Sequence, residues 1–422
     1  MASGKRDPIF FGWWVVAASL VGLSFGSYST FIGVSFGLFF KPLEASFGWS
    51  RSEISFAFLI CNASIVLLAP VLGGLIDRFG VRQILLTATA LFGLTVCSMS
   101  LLTSSLWHFY LMYLIIPLFG VGTLPSTYTR VILNWFDRQR GLALGIALSG
   151  FGVAAVIAPP LIQQLIATVG WRQTYLVMGV VVLVIAWPTI YLLFREHPNE
   201  MGLYPDGMAG GSQTLAIHAS GYTLDKELKQ RAFWMIATGF VLMGIAGTGF
   251  LAHFVATLTD RGFSPAISAW IFSLFGITII IGRIGCGYLV DRFFAPYVGT
   301  VFLIGAAIGL AILALSDGIL PAILAAILLG LGLGAEFDLL SFFISRYLGL
   351  KNYGKIYGFI YAAFQVGSGI GVMLMGVSFD HRGSYTIGLW LLSACMLTAA
   401  GIVFRLGPYR FGATDRDSHA VA

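Results

Sequence analysis

Residues 73 to 78 read Gly73-Gly74-Leu75-Ile76-Asp77-Arg78, and 214 residues further on the chain reads Gly287-Tyr288-Leu289-Val290-Asp291-Arg292. Each segment closes an apolar run with a carboxylate followed by an arginine. At the same offset, Phe47-Gly48-Trp49-Ser50 is matched by Arg261-Gly262-Phe263-Ser264. Matches at one constant offset divide the chain into two similar halves. The divider is the long polar stretch 195–231, which contains the run Asp225 to Arg231 and reads as a linker with one short amphipathic helix.

The composition says what each half is made of. Of 422 residues, 58% are hydrophobic and 10% are charged, with a mean hydropathy of +0.90, whereas soluble domains carry about 25% charge. Cytosolic, nuclear and secreted chains are excluded, and 52 glycines without a G-X-Y period exclude collagen. At about 20 apolar residues per span, the sequence predicts an all-α membrane protein. Its helices lie near 12–40, 52–76, 83–103, 106–134, 141–169 and 172–194, then 232–259, 266–290, 297–316, 319–346, 355–379 and 384–406. The units are therefore 1–194 (six helices), 195–231 (cytoplasmic linker) and 232–422 (six helices and a short tail). Lys5 and Arg6 before the apolar run from Phe10 look like a signal peptide, but the repeat requires that run as a permanent first helix.

The net charge of +6 does not point to nucleic acid, because the Lys and Arg sit at the ends of apolar segments rather than on one face. With the N-terminus inside, 17 basic residues fall in cytoplasmic links or tails. Only Lys41, Arg51, Arg172, Arg261 and Arg382 fall outside. That imbalance places both termini in the cytoplasm, with the chain in the cell's inner (plasma) membrane. Cys61, Cys97, Cys286 and Cys395 lie in apolar runs without metal spacing and read as packing residues. No cofactor or metal is implied. There is no HExxH and no credible GxSxG elbow, so an enzyme is not expected. Two parallel six-helix repeats are the layout of a rocking carrier with its site between them.

The link Gly73 to Arg78, with Gly80 and Arg82, and its copy in the second half resemble the signature of the major facilitator superfamily. The segment Trp135-Phe136-Asp137-Arg138-Gln139-Arg140-Gly141 through Ala147, with Gly150 and Gly152, is similar to the helix 4 to 5 signature of the monocarboxylate transporter family. Phe11-Gly12-Trp13-Trp14, Phe47 to Arg51, His197 to Gly207 and Gly334 to Asp338 look like its bacterial branch, which includes oxalate/formate exchangers. The resemblance covers the whole chain. It implies proton-coupled symport, or exchange, of small carboxylates, with an arginine of helix 8 as the anion anchor, and Arg283 occupies that place. Three positions depart from the family pattern. Ile279 stands where animal members have an Asp four residues before the arginine, and Ser27 to Phe40 lacks their helix 1 Lys. Lys355 lies at the cytoplasmic mouth rather than within helix 11, where the oxalate exchanger has its Lys. A single anchoring charge favours a lactate- or pyruvate-like monoanion over a dicarboxylate.

Arg283 is about 12 Å of helix rise from the cytoplasmic end, at a depth where an arginine costs about 2.5 to 3.5 kcal/mol. It must therefore face a polar cavity or a carboxylate. A guanidinium suits bidentate recognition of a carboxylate, and the alternative is a structural ion pair, for instance with Glu336. Glu336 and Asp338 are two residues apart and lie on different faces. Either can be structural, and Glu336 is also a candidate proton carrier. His253 and Asp260 are two turns apart on helix 7 and could relay a proton, or form a helix end with an Asp260–Arg261 pair and a core His.

Tyr28, Asn62, Ser149, Tyr361 and Gln365 are candidate cavity residues. Tyr357, Tyr361, Gln365 and Ser368 form one polar stripe on helix 11. Arg130 reads as gating or structural. Asp77, Arg78, Arg82, Arg138, Arg140, Asp291 and Arg292 are expected to form and break contacts across the inner gate. The partners implied are a small carboxylate, a proton and the lipid bilayer, and the carrier is expected to be a monomer. The alternatives are an exchanger or exporter without proton coupling, or a membrane receptor.

Overall fold

The structure is a computed structural model that describes residues 10–136, 139–207, 228–290, 292–349 and 353–410, except for ten side chains within helices, among them Asp77, Arg140 and Asp338. The expected gate residues Asp137, Arg138 and Asp291 lie outside the described residues, as do 208–227 of the linker. The described part of the linker forms short 3-10 turns at Pro198–Met201 and Pro205–Gly207.

Eleven helical runs are long and apolar enough to cross a membrane. One of them, Leu142–Leu193, has 52 residues, or about 78 Å at 1.5 Å per residue, far more than a bilayer. It breaks at Gly170, whose φ of +83° is in the region that favours glycine. Twelve spans result: α1 (Gly12–Phe47), α2 (Arg51–Phe79), α3 (Val81–Leu101), α4 (Leu106–Trp135), α5 (142–169), α6 (171–193), α7 (Arg231–Asp260), α8 (Pro265–Val290), α9 (Ala295–Leu315), α10 (Ile319–Leu348), α11 (Lys355–Arg382) and α12 (Thr386–Phe404).

An even number of spans puts both chain ends on one face, here called the terminal face. Phe10 packs on Trp135 and Phe136 there, and Tyr409 on Phe294 and Tyr347. The motif Gly73 to Arg78 is the last turn of α2 at this face. A capping box starts α2 at the opposite, distal face: Ser50 N–H donates to Glu53 (2.8 Å) and Glu53 N–H to Ser50 Oγ (3.2 Å).

The two sets of six helices meet along a seam where α1 and α2 face α7 and α11, and α5 faces α8. In bilayer this contact depends on close packing rather than on water exclusion. At Gly37 of α1 the backbones come so close that a Cβ would lie 2.1 Å from the Ala252 carbonyl oxygen of α7.

Helices α1 and α4 are both interrupted within their spans, with extended residues at Ser27 and Leu124. The freed groups satisfy each other. Tyr28 N–H donates to Thr123 Oγ1 (2.9 Å), and Ser27 Oγ donates to the Thr123 carbonyl (3.0 Å). Broken helices are tolerated at membrane depth only where neighbours re-satisfy the backbone in this way.

Candidate functional site

At the distal face, a charged cluster built on Arg51 closes the seam. Arg51 opens α2 and its side chain is 3% exposed. It donates to Glu44 (3.2 Å), to both oxygens of Asp260 at the end of α7, and to the Tyr385 hydroxyl, while its guanidinium stacks 3.8 Å over Phe379. Lys41 also pairs with Asp260, at 2.8 Å. Asp380 at the end of α11 accepts from the backbone N–H of Arg51 (3.1 Å) and Ser52 (2.8 Å), capping α2 from the other half. Burial holds the Tyr385 phenol above its ordinary range, so it remains a hydrogen-bond donor.

That donor is used by His253, which is fully buried one level deeper. Its Nε2 faces the Val372 carbonyl at 3.0 Å and must donate, because a carbonyl can only accept. Nδ1 then accepts from the Tyr385 hydroxyl at 3.0 Å, and Ser55 Oγ lies 3.1 Å from Nε2. This neutral form satisfies both ring nitrogens. Asp260 and His253 do share one cluster, as their spacing suggests, but Arg51 and Tyr385 stand between them. A guanidinium does not release a proton at working pH, so the expected stepwise relay from Asp260 to His253 is interrupted at Arg51. The alternative Asp260–Arg261 pair is also replaced: Arg261 pairs with Asp317 (3.2 Å) and donates to the Ser316 carbonyl (2.9 Å).

Below this lock, Asn62 and Gln365 meet across the seam, with Gln365 Nε2 donating to Asn62 Oδ1 at 3.3 Å. Tyr361 lies close enough to Tyr28 and Glu336 to interact electrostatically with both. Three buried polar atoms at this level have no nitrogen or oxygen partner among the described residues: Tyr28 Oη, Asn62 Nδ2 and Glu336 Oε1. Tyr28 meets the Cys61 thiol, a weak partner. The expected helix 11 stripe divides here, because Ser368 turns away from the seam to Thr248 of α7 (3.0 Å).

Arg283 is partly exposed on α8. Its Nη1 donates across the seam to the Leu148 carbonyl (3.2 Å), next to Ser149, where the helical run of α5 is interrupted. Ser149 Oγ is spent on the Ile146 carbonyl (2.6 Å). The expected Arg283–Glu336 ion pair is not among the ion pairs of the described residues, and Glu336 Oε1 has no hydrogen-bond partner there. α10 nevertheless touches α8 at Gly334, where a Cβ would lie 2.9 Å from Arg283 N.

Of the gate residues expected at the terminal face, the structure describes the side chains of Arg78, Arg82 and Arg292. Arg82 is fastened within its own half, to the carbonyls of Phe194 and Tyr191 (both 2.9 Å), with its N–H on Glu196 (3.2 Å). Arg292 stacks on Tyr288 at 3.9 Å and Arg78 on Phe79 at 5.1 Å, again within their own halves. Among the described residues, the polar contacts that cross the seam include Arg51–Asp260, Asn62–Gln365, Ser273 Oγ to the Val156 carbonyl, and Arg283–Leu148. The lock residues Arg51, Glu44, Asp380 and Tyr385 were not singled out by sequence reasoning. Their signal was the Phe47-Gly48-Trp49-Ser50-Arg51 motif, which ends on the arginine.

The description "Major Facilitator Superfamily" matches residues 16–372 of the chain. Human (Homo sapiens) monocarboxylate transporter 11 is 25% identical over 405 residues, which is 93% of this chain and 82% of that protein. Monocarboxylate transporter 13 of Rattus norvegicus is 26% identical over 413 residues, covering 95% and 91%. In fold, the chain resembles a bacterial homolog of the human lysosomal transporter Spinster, solved in an inward-facing and occupied conformation. The TM-score is 0.70 at 15% identity, over 95% of this chain and 97% of that one. With twelve spans, no enzyme motif and a family match across most of its length, the chain is a membrane transporter that belongs to the Major Facilitator Superfamily.

Proposed function

We propose that the chain carries small lactate- or pyruvate-like monocarboxylates across the membrane by proton-coupled symport, with its distal face outside and both termini in the cytoplasm. The observation that carries this reading is Arg283, a fixed cation at mid-membrane depth that reaches across the seam to the Leu148 carbonyl of the other half. A carboxylate entering the seam offers the guanidinium a charged, bidentate partner, and charge-assisted bonds are about twice as strong as neutral ones. Tyr28, Asn62, Tyr361 and Gln365 line the path beside it, and the unpartnered Tyr28 and Asn62 atoms supply neutral donors. Ser149 keeps Leu148 in place.

The proton acts at the lock. Asp260 carries the negative charge that Lys41 and Arg51 share, with Glu44, Asp380, Tyr385 and His253 around them. A proton on Asp260 cancels that charge, releases Lys41 and leaves Arg51 with its ion pair to Glu44 of its own half, so that the outer face can part. His253 holds Tyr385 in place for Arg51, and Glu336 is the second acid within reach of the cavity. Closure at the other end is assigned to Asp77, Arg78, Arg82, Arg138, Arg140, Asp291 and Arg292. The halves then rock about the site with no further partner, as a monomer in the plasma membrane. The test is uptake of labelled lactate, pyruvate, formate and oxalate into proteoliposomes with and without an inward proton gradient. Accumulation of a monocarboxylate only with the gradient supports the reading. Gradient-independent exchange supports the exchanger instead, a reading favoured by Ile279 one turn before Arg283 in place of the Asp of animal members.

A further inference from the structure

A groove of about 480 Å³ opens sideways on the distal half of the molecule, away from the carboxylate path. Its walls are apolar: Ile370 and Leu374 of α11, Leu391 of α12 and, from the other half, Leu59 of α2. Leu59 seats against Gly369 of α11, where a Cβ would lie 2.5 Å from Leu59 Cδ1. At the mouth stand His381 and Arg382, in the last turn of α11. Both are exposed, and neither side chain makes a hydrogen bond or ion pair with a described residue. The nearby carboxylate of Asp380 is occupied by the N–H groups of Arg51 and Ser52.

Two features identify the occupant. From Ile370 to Arg382 the groove follows α11 for about 18 Å at 1.5 Å per residue, close to one leaflet of a hydrocarbon core about 30 Å thick. A basic side chain at its interfacial end and a dry apolar wall below it match a charged headgroup with an acyl chain beneath. We propose that this groove binds a phospholipid with an anionic headgroup, with the phosphate at Arg382 and one chain along Ile370, Leu374 and Leu391. Since Leu59 belongs to the other half, the groove is complete only while the distal face is shut, so the bound lipid favours that state. The site stands independently of the identity of the transported substrate.

The test is native mass spectrometry of the full chain purified with added dioleoylphosphatidylglycerol or dioleoylphosphatidylcholine. The expected result is selective retention of one phosphatidylglycerol. In Arg382→Gln its affinity falls about fivefold, the worth of one basic residue near an anionic surface. Ile370→Trp, which fills the groove, removes it while the protein still elutes as a single species. Equal retention of the two lipids, or unchanged retention in either variant, overturns the proposal. So does crosslinking that finds the helix of another chain in the groove.

Discussion

The guanidinium of Arg51 and the carboxylate of Asp260, 209 residues apart in sequence, form the ion pair that closes the seam at the distal face. Lys41 shares the same carboxylate. Neutralising Asp260 therefore acts on the lock and on proton coupling together. In Asp260→Asn, pH-driven accumulation of the carboxylate is expected to disappear while exchange of internal for external substrate continues. Uptake with an inward proton gradient, compared with counterflow at equal pH, measures both, and accumulation that survives in this variant sinks the assignment.

Glu336 provides the contrast. Its Oε1 is buried without a partner among the described residues, but it has no contact with the lock. Glu336→Gln should retain gradient-driven accumulation if Asp260 carries the coupling proton. The same proteoliposome assay decides between them, because loss of accumulation in Glu336→Gln with retention in Asp260→Asn reverses the two roles.

The anchor is tested by a charge-conserving change. Arg283→Lys keeps a cation at the same depth but loses the planar fork that grips two carboxylate oxygens. Folding should be unaffected by size-exclusion profile, and transport should fall roughly tenfold to a hundredfold, the worth of one charged hydrogen bond. Wild-type uptake in this variant would falsify the assignment.

The repeat, the span ends and the seam-facing candidates could be read locally, because each leaves a mark within a few residues: a carboxylate and arginine closing an apolar run, or an isolated Asn62 or Gln365 within one. The lock could not be read this way. Arg51, Lys41 and Asp260 each look like ordinary interfacial charges, and their meeting depends on two helices touching at the distal face, which no periodicity records. The interruption of α1 at Ser27 was equally silent, since no proline or charge marks it. Its cause is the pairing of Ser27 and Tyr28 with Thr123 of α4, 96 and 95 residues away. Arg82 was recognised as a terminal-face charge, but its partners are the carbonyls of Tyr191 and Phe194, and carbonyls carry no sequence signal.

A close backbone approach across the seam gives the most direct test of rocking. Gly37 leaves no room for a Cβ, which would run into the Ala252 carbonyl, and that carbonyl belongs to backbone that cannot swing aside. Gly37→Ala should therefore obstruct closure of the distal face without touching Arg283 or Asp260, moving the population towards the state open on that side. Ser55 is fully buried in the seam nearby, beside His253. A cysteine placed there, with the four native cysteines replaced, reports the opening through its reaction with a membrane-impermeant maleimide added outside. The rate should rise about tenfold over the Gly37 parent, equivalent to about 1.4 kcal/mol in the equilibrium, and substrate uptake should fall because the return step is blocked. An unchanged labelling rate would mean that the distal seam does not part during transport.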